Sequence, residues 1–193
     1  FGTKHHEEMA ESNSFSDMFP KIIRCFDQPF SGVVSTYLLA KIMRQHTKTG
    51  ITGDGADELF GNYLSHRMAA RGEHEDVVDW VWRSKLFVFT EEEKRKLYSP
   101  NMANTMAQYD TVLHLSGYFD NLGKADPLNR MLGAEFKGIF PDQVLEFSDK
   151  LSMAHNLELR AAYLDHEFVE FVASISGEWK IRNGTTKYIL KKA

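Results

Sequence analysis

Cysteine is almost missing from these 193 residues, Cys25 standing alone. That excludes an internal disulfide framework and fits a reducing compartment. No apolar run approaches the roughly 20 residues that a membrane-spanning helix needs. A basic excess is lacking too: 23 Lys and Arg stand against 27 Asp and Glu, a net charge of -4, so the electrostatic footprint of a nucleic-acid binder is absent. No signal-peptide pattern opens the chain, and together these features predict a soluble, cytoplasmic protein; the abrupt start on Phe1 predicts a piece of something longer. The zinc pattern HExxH fails, because Ala10 stands four residues after His6. Adjacent His5 and His6 point to opposite faces of a strand or about 100° apart on a helix, which chelates poorly and leaves surface or hydrogen-bonded histidines. The length is that of one domain with a real core.

What is there begins with Ile51–Tyr63, reading ITGDGADELFGNY. A strand end runs into a small-residue acidic turn and then into a helical pattern. Gly53 and Gly55 bracket Asp54, and without Cβ atoms both can take positive φ and let a ligand lie against bare backbone. From Ala56 onward Leu59, Phe60, Tyr63, Leu64 and Met68 recur at helical spacing, with Gly72 as the stop. The turn is thereby predicted at a helix N-terminus, whose N–H groups suit phosphate or carboxylate oxygens. Asp54, Asp57 and Glu58 would repel bare phosphate there, so a nucleotide carrying magnesium fits better than free phosphate. The plainer alternative is an ordinary turn followed by acidic residues that merely stabilise a helix start. An EF-hand loop is excluded, since Ala56 and Glu58 stand where its glycine and alternate oxygen ligands belong.

Elsewhere the pattern is mostly helical. Phe15, Met18, Phe19, Ile22, Ile23 and Phe26 form a core stripe, kinked or begun at Pro20, with Cys25 expected as a small buried hydrophobe beside it. After a break at Asp27–Gly32, Val33–Gln45 predicts a well-buried helix, and Thr47–Thr52 a short sheet strand. Val77, Val78, Val81 and Trp82 make another stripe. Thr90 with Glu93 is a capping box ahead of a charged, solvated helix, and Met102–Phe119 holds one or two more helices. Asp126-Pro127 and Pro141 each open a helix, the second carrying Val144, Leu145, Phe147, Leu151 and Met153. Asp149, Lys150, His155, Glu158, Arg160, Asp165 and His166 predict buried pairs that fix a turn between two helices, Asp165 capping the second, which runs to Gly177. Finally Asn183-Gly184 reads as a turn and Thr185 as a cap, placing Lys187 at a positive helix terminus. That position is unfavourable unless an anion lies nearby or the side chain faces solvent.

Four blocks in order, DQPFSGVVSTYLLAK, GDGADELFGNY, SMAHNLELRAAYLDH and GTTKYILKKA, resemble the synthetase domain of the glutamine-dependent asparagine synthetase family. The resemblance implies an α/β fold, a fragment of a PP-loop ATPase (adenine nucleotide alpha hydrolase-like) domain that is predominantly helical with a few parallel strands. It implies that residues 1–193 are a partial ATP-pyrophosphatase-type domain, with the Ser-Gly-Gly-Asp-Ser loop that cradles pyrophosphate and the N-terminal glutaminase domain lying upstream. Cys25 would then not be the glutaminase nucleophile, which sits at the mature N-terminus of that other domain. Gln28 stands where the family usually has Glu, and Ala162 replaces the proline of Arg-x-Pro-x-Leu-Asp, predicting a looser loop.

The same resemblance implies ATP and Mg2+ as cofactors, aspartate and glutamine-derived ammonia as substrates, and the glutaminase domain as partner. Site roles carry over residue by residue: Thr52 and Gly53 to the adenosine moiety, Asp57 to magnesium, Lys187 to charge on the α-phosphate, and Asp54 to orienting the acyl intermediate or incoming ammonia. The SMAHNLELRAAYLDH block would lie near the ammonia route, without individual assignments. Two rivals use these residues otherwise: another acyl-adenylating synthetase, of the β-lactam or peptide-modifying kind, and a non-catalytic scaffold descended from the enzyme. An incomplete sheet would leave an exposed strand edge, which favours self-association as a homodimer.

Overall fold

A computed structural model describes residues 2–7, 9, 15–27, 32–72, 89–120 and 122–193. The stripe at Val77–Trp82 and the turn at Gln28 lie outside the described residues. In chain order the elements are α1 (Phe15–Phe26), α2 (Val33–Arg44), β1 (Thr49–Thr52), α3 (Ala56–Phe60), α4 (Leu64–Ala70), α5 (Glu91–Leu97), α6 (Pro100–Met106), α7 (Thr111–Ser116) and a 3-10 turn at Gly117–Phe119. Then follow α8 (Pro127–Lys137), a π-helical turn at Phe140–Leu145, α9 (Glu146–Met153), β2 (Glu158–Ala161), a 3-10 turn at Ala162–Leu164, α10 (His166–Ala173), α11 (Gly177–Lys180) and α12 (Tyr188–Lys192). This is a helix-rich α/β chain, divided into one unit of Phe1–Asp54 with Asp142–Ala162 and a second of Gly55–Pro141 with Tyr163–Ala193.

The first unit holds the sheet. Strands β1 and β2 pair in parallel, with Thr49 opposite Glu158, Gly50 opposite Leu159, Ile51 opposite Arg160 and Thr52 opposite Ala161. Side chains alternate across a strand, so Gly50 is buried while Ile51 is 78% exposed. A Cβ at Gly50 would collide with the Met43 side chain and meet Leu159 at 3.3 Å, which explains the glycine at this buried strand position. Ile22 and Phe26 of α1, Val33 of α2 and Leu151 of α9 form the buried cluster. The predicted stripe of α1 is therefore core only on its Ile22–Phe26 side, Phe15 and Phe19 being exposed and stacked on each other at 5.0 Å.

Three expectations fail in this unit. Cys25 is exposed, because it projects from α1 away from the side that carries Ile22 and Phe26. Helix α2 buries only Val33 and Ala40, leaving Leu39 57% exposed; its apolar arc is wider than the surface α1 and α9 cover. The polar block is not a turn between helices: Glu158–Ala161 is a strand, and Glu158 and Arg160 form an exposed close ion pair where buried pairs were expected. Glu, Leu, Arg and Ala are all good helix formers, and pairing with β1 overrides that local preference. At the chain's beginning His5 Nε2 lies 2.9 Å from Glu7, and the His6 ring sits 4.0 Å from that of His46.

The second unit is helical and centred on α8. Asp126 caps it, its Oδ1 accepting from Asn129 N at 2.9 Å, with Pro127 in the first turn, as read from the sequence. Leu128, Met131, Leu132, Ala134 and Glu135 are buried along its length. The capping box of α5 is present: Glu93 N donates to Thr90 Oγ1 at 3.2 Å and Thr90 N to Glu93 Oε2 at 2.8 Å. Phe168 N donates to Asp165 Oδ1 at 3.2 Å, although α10 stops at Ala173, short of Gly177. Among the described residues no helix is long and apolar enough to cross a membrane.

Here too the long helix expected from Ala56 to Gly72 is two. Gly61, at φ 78° and ψ 119°, ends α3, and the chain re-enters helix at Leu64. Of the apolar residues read as one stripe, Leu59 and Phe60 are buried, while Tyr63 and Leu64 at the break are 38% and 56% exposed. Thr185 is not the cap of the last helix; it bridges back to Arg182, and Lys187 occupies the cap position of α12 in the left-handed region, at φ 50°.

Lys180 of α11 is buried, with its Nζ donating to Asn129 Oδ1 at 2.7 Å. Loss of hydration pushes its pKa down from 10.5 to about 8, partly opposed by the Asp126 carboxylate. Between these values the unfolded chain binds the proton and the folded chain releases it, so this group makes stability rise with pH. Wild type should therefore gain stability relative to Lys180→Met between pH 8 and 10.5, followed by urea unfolding across that range; a gap that stays constant would contradict the assignment. At the break, Gly61→Ala should destabilise by about 1–3 kcal/mol, since φ is positive and a Cβ would lie 2.9 Å from Ile181 Cδ1. An unchanged urea midpoint would show that the loop tolerates another conformation.

Candidate active site

The stretch Ile51–Tyr63 divides between the two units, so its residues build two local arrangements. In the first unit, Thr52 at the end of β1 donates its hydroxyl to Asp54 Oδ2 at 3.0 Å. Thr52, Gly53 and Asp54 line a cavity of about 290 Å³ whose other walls include Leu39, Phe147 and Ser148. Gly53 is exposed, and a Cβ there would meet nothing within 4 Å. The positive φ expected of both glycines is found only at Gly55, at 92°, where a Cβ would come within 2.5 Å of Leu164 Cδ2 in the second unit to which Gly55 belongs. Gly55 is thus required by packing, and Gly53 leaves open backbone beside the cavity.

In the second unit, Asp57 Oδ1 lies 2.8 Å from Lys187 Nζ. The anion anticipated near Lys187 is this carboxylate. The contact is ionic without hydrogen-bond alignment, so Oδ1, buried as an atom, accepts no hydrogen bond. Both side chains stay partly open, at 30% exposed for Asp57 and 23% for Lys187. Helix α3 has only five residues, too short for the extended dipole that the sequence reading invoked. The electrostatics of the turn therefore rest on this lysine.

Lys187 is held from behind by the loop between α3 and α4. Its backbone N–H donates to Gly61 O at 3.2 Å, and Thr186 Oγ1 donates to Asn62 Oδ1 at 3.1 Å. The loop is itself pinned: Asn62 N and Tyr63 N donate to His66 Nδ1 at 3.1 and 3.3 Å, and His66 Nε2 lies 3.0 Å from Glu135 Oε2. Two donors on Nδ1 require the proton on Nε2, which then donates to Glu135. His66 and Glu135 are 0% and 2% exposed. Beside them the Tyr63 hydroxyl donates to Glu58 Oε1 at 2.5 Å, and burial raises the pKa of both groups, the hydrogen bond partly opposing it at Glu58.

His66, Glu135, Asn62 and Thr186 are the site residues that sequence reading missed. The signal available was Gly61-Asn62, a turn dipeptide inside a helical pattern. Nothing in spacing could have paired His66 with Glu135.

Among the described residues no three His, Cys, Asp or Glu side chains gather as a metal cage. Magnesium does not need one, because it keeps several waters and is commonly held by one or two carboxylates plus substrate phosphates. Asp57 is 30% exposed with its Oδ1 facing the Lys187 ammonium at 2.8 Å, a single half-open carboxylate of the kind that can hold such an ion together with substrate phosphates.

Comparison with known proteins bears on the family resemblance. The chain is 26% identical over 231 residues to asparagine synthetase [glutamine-hydrolyzing] 1 of Bacillus subtilis, an alignment covering all of this chain and 35% of that protein. A putative asparagine synthetase [glutamine-hydrolyzing] of Mycobacterium tuberculosis H37Rv is 25% identical over 223 residues, covering the whole chain and 34% of the relative. The chicken asparagine synthetase is 40% identical over 47 residues, 24% of this chain and 8% of that one. The chain thus spans about a third of the length of the curated relatives it matches end to end. The family model described as asparagine synthase matches residues 1–193, and the chain belongs to that family.

Proposed function

We propose that this chain is part of a PP-loop-type synthetase domain that uses ATP to make an amide, adenylating aspartate on its side-chain carboxylate and passing the product to ammonia. In the first step a carboxylate oxygen attacks the α-phosphorus, the bond to the bridging oxygen breaks, and pyrophosphate leaves. In the second, ammonia attacks the acyl carbon, AMP departs and a proton is lost, giving asparagine. The reading rests on one observation above the rest, the approach of Lys187 to Asp57 at 2.8 Å.

Each step builds negative charge that fixed positive groups must offset. Lys187 supplies it at the non-bridging oxygens of the α-phosphate. Asp57 would hold magnesium, which would supply positive charge to neutralise the leaving group. Lys187 Nζ lies against the Asp57 carboxylate; Asp57 would hold the magnesium of a bound nucleotide, and Lys187 would then turn from the carboxylate to phosphate. Thr52 and Gly53 contact the adenosine moiety, supported by the cavity they line with Leu39 and Phe147. Asp54, oriented by the Thr52 hydroxyl, positions the acyl intermediate or the incoming ammonia. The relatives' names, glutamine-hydrolyzing, support a glutaminase domain in the same polypeptide as the ammonia source, and a cytoplasmic setting suits these substrates.

In the protein carrying this chain, Lys187→Ala should lower aspartate-dependent ATP–pyrophosphate exchange by at least about 10²–10³-fold while ATP binding changes little. Exchange at the wild-type rate would remove the catalytic role. Exchange driven by other carboxylic acids and not by aspartate would keep the adenylation chemistry and replace the substrate.

A further inference from the structure

We infer that His66 and Glu135 are positioning residues that set Lys187 by way of the Gly61–Tyr63 loop. The inference deepens the reading above and rests on it for its catalytic consequence. Lys187 has a left-handed backbone, at φ 50° and ψ 39°, a region that a lysine enters only when its surroundings hold it there. Gly61 O and Asn62 Oδ1 are what hold it, the first taking the Lys187 N–H and the second the Thr186 hydroxyl.

Those acceptors belong to a loop that is itself irregular, with Gly61 at φ 78°. Its own N–H groups at Asn62 and Tyr63 have no helical partners and converge on one atom, His66 Nδ1. That atom can accept only if the imidazole keeps its proton on Nε2, and Glu135 enforces this by accepting there at 3.0 Å. Glu135 is buried on α8, the helix on which the unit's core is built. A chain of hydrogen bonds therefore runs from α8 through an imidazole tautomer to two loop amides, and from the loop to the Thr186 hydroxyl and the Lys187 N–H. Side-chain placement follows backbone placement, so the ammonium reaches Asp57 because this relay is intact. A histidine used only for packing would not need two donors on one ring nitrogen and a buried carboxylate on the other.

Comparing His66→Asn with His66→Leu isolates the relay. Both lose the contact to Glu135, but the shorter amide keeps an acceptor near the position of Nδ1. In the protein carrying this chain, His66→Leu should speed hydrogen exchange at the Lys187 amide and lower kcat for aspartate-dependent ATP–pyrophosphate exchange, each by about 10–100-fold. KM for ATP should stay within about threefold. His66→Asn, which keeps an acceptor for the loop amides but loses Glu135, should fall between wild type and His66→Leu in both readouts, and Glu135→Leu, which removes the acceptor for Nε2–H, should move both in the same direction as His66→Leu. Should His66→Leu not fold, Thr186→Val cuts the second link and should move both readouts the same way. Wild-type exchange at Lys187 in His66→Leu, or equal impairment in His66→Asn, overturns the relay. Faster exchange at Lys187 in a protein whose wild type shows no adenylation keeps the relay and overturns the functional reading.

Discussion

The contact between Asp57 and Lys187 is the constraint around which the second unit makes sense. A partly exposed ion pair contributes only about 0–1 kcal/mol to stability, while a left-handed non-glycine residue costs about 1–2 kcal/mol. Stability alone does not account for the arrangement. What the unit gains is placement: an ammonium held over a carboxylate by backbone hydrogen bonds from a loop that buried side chains in turn hold still. Charge aimed in advance at a reacting phosphate has that requirement, because donors that must reorganise during the reaction lose most of their value.

The first unit answers a different need. Its two parallel strands end at Thr52 and Ala161, and the residues just beyond β1 open onto a cavity with apolar walls. Ligands in parallel α/β folds are commonly bound outside the carboxyl ends of strands. A hydroxyl, an open glycine and a carboxylate stand at that place against Leu39 and Phe147, the position proposed for the adenosine moiety. The exposure of Leu39, which the sequence predicted to be buried, is consistent with this use.

Much of this was legible before any coordinates. Caps are local chemistry, so Thr90 with Glu93, Asp126 before Pro127 and Asp165 before α10 could be read from neighbouring residues and are found where expected. The short strand ending at Thr52 was also visible. Other features depend on partners distant in sequence. Glu158–Ala161 reads as part of a turn between helices until β1 is beside it, and Cys25 reads as core until the width of the α1 stripe is known. The α3–α4 break hid because apolar spacing runs across it, and with it hid the role of His66. A glycine's identity likewise does not reveal whether φ is positive, which is why Gly53 and Gly55 looked alike.

The account turns on Lys187 changing partner from a carboxylate to a phosphate. A crystal structure of the protein carrying this chain, soaked with magnesium and a non-hydrolysable ATP analogue, measures that directly. The account predicts the metal on Asp57, Lys187 Nζ withdrawn from it and within hydrogen-bond reach of an α-phosphate oxygen. Nucleotide bound elsewhere, with the Asp57–Lys187 contact intact, would contradict it.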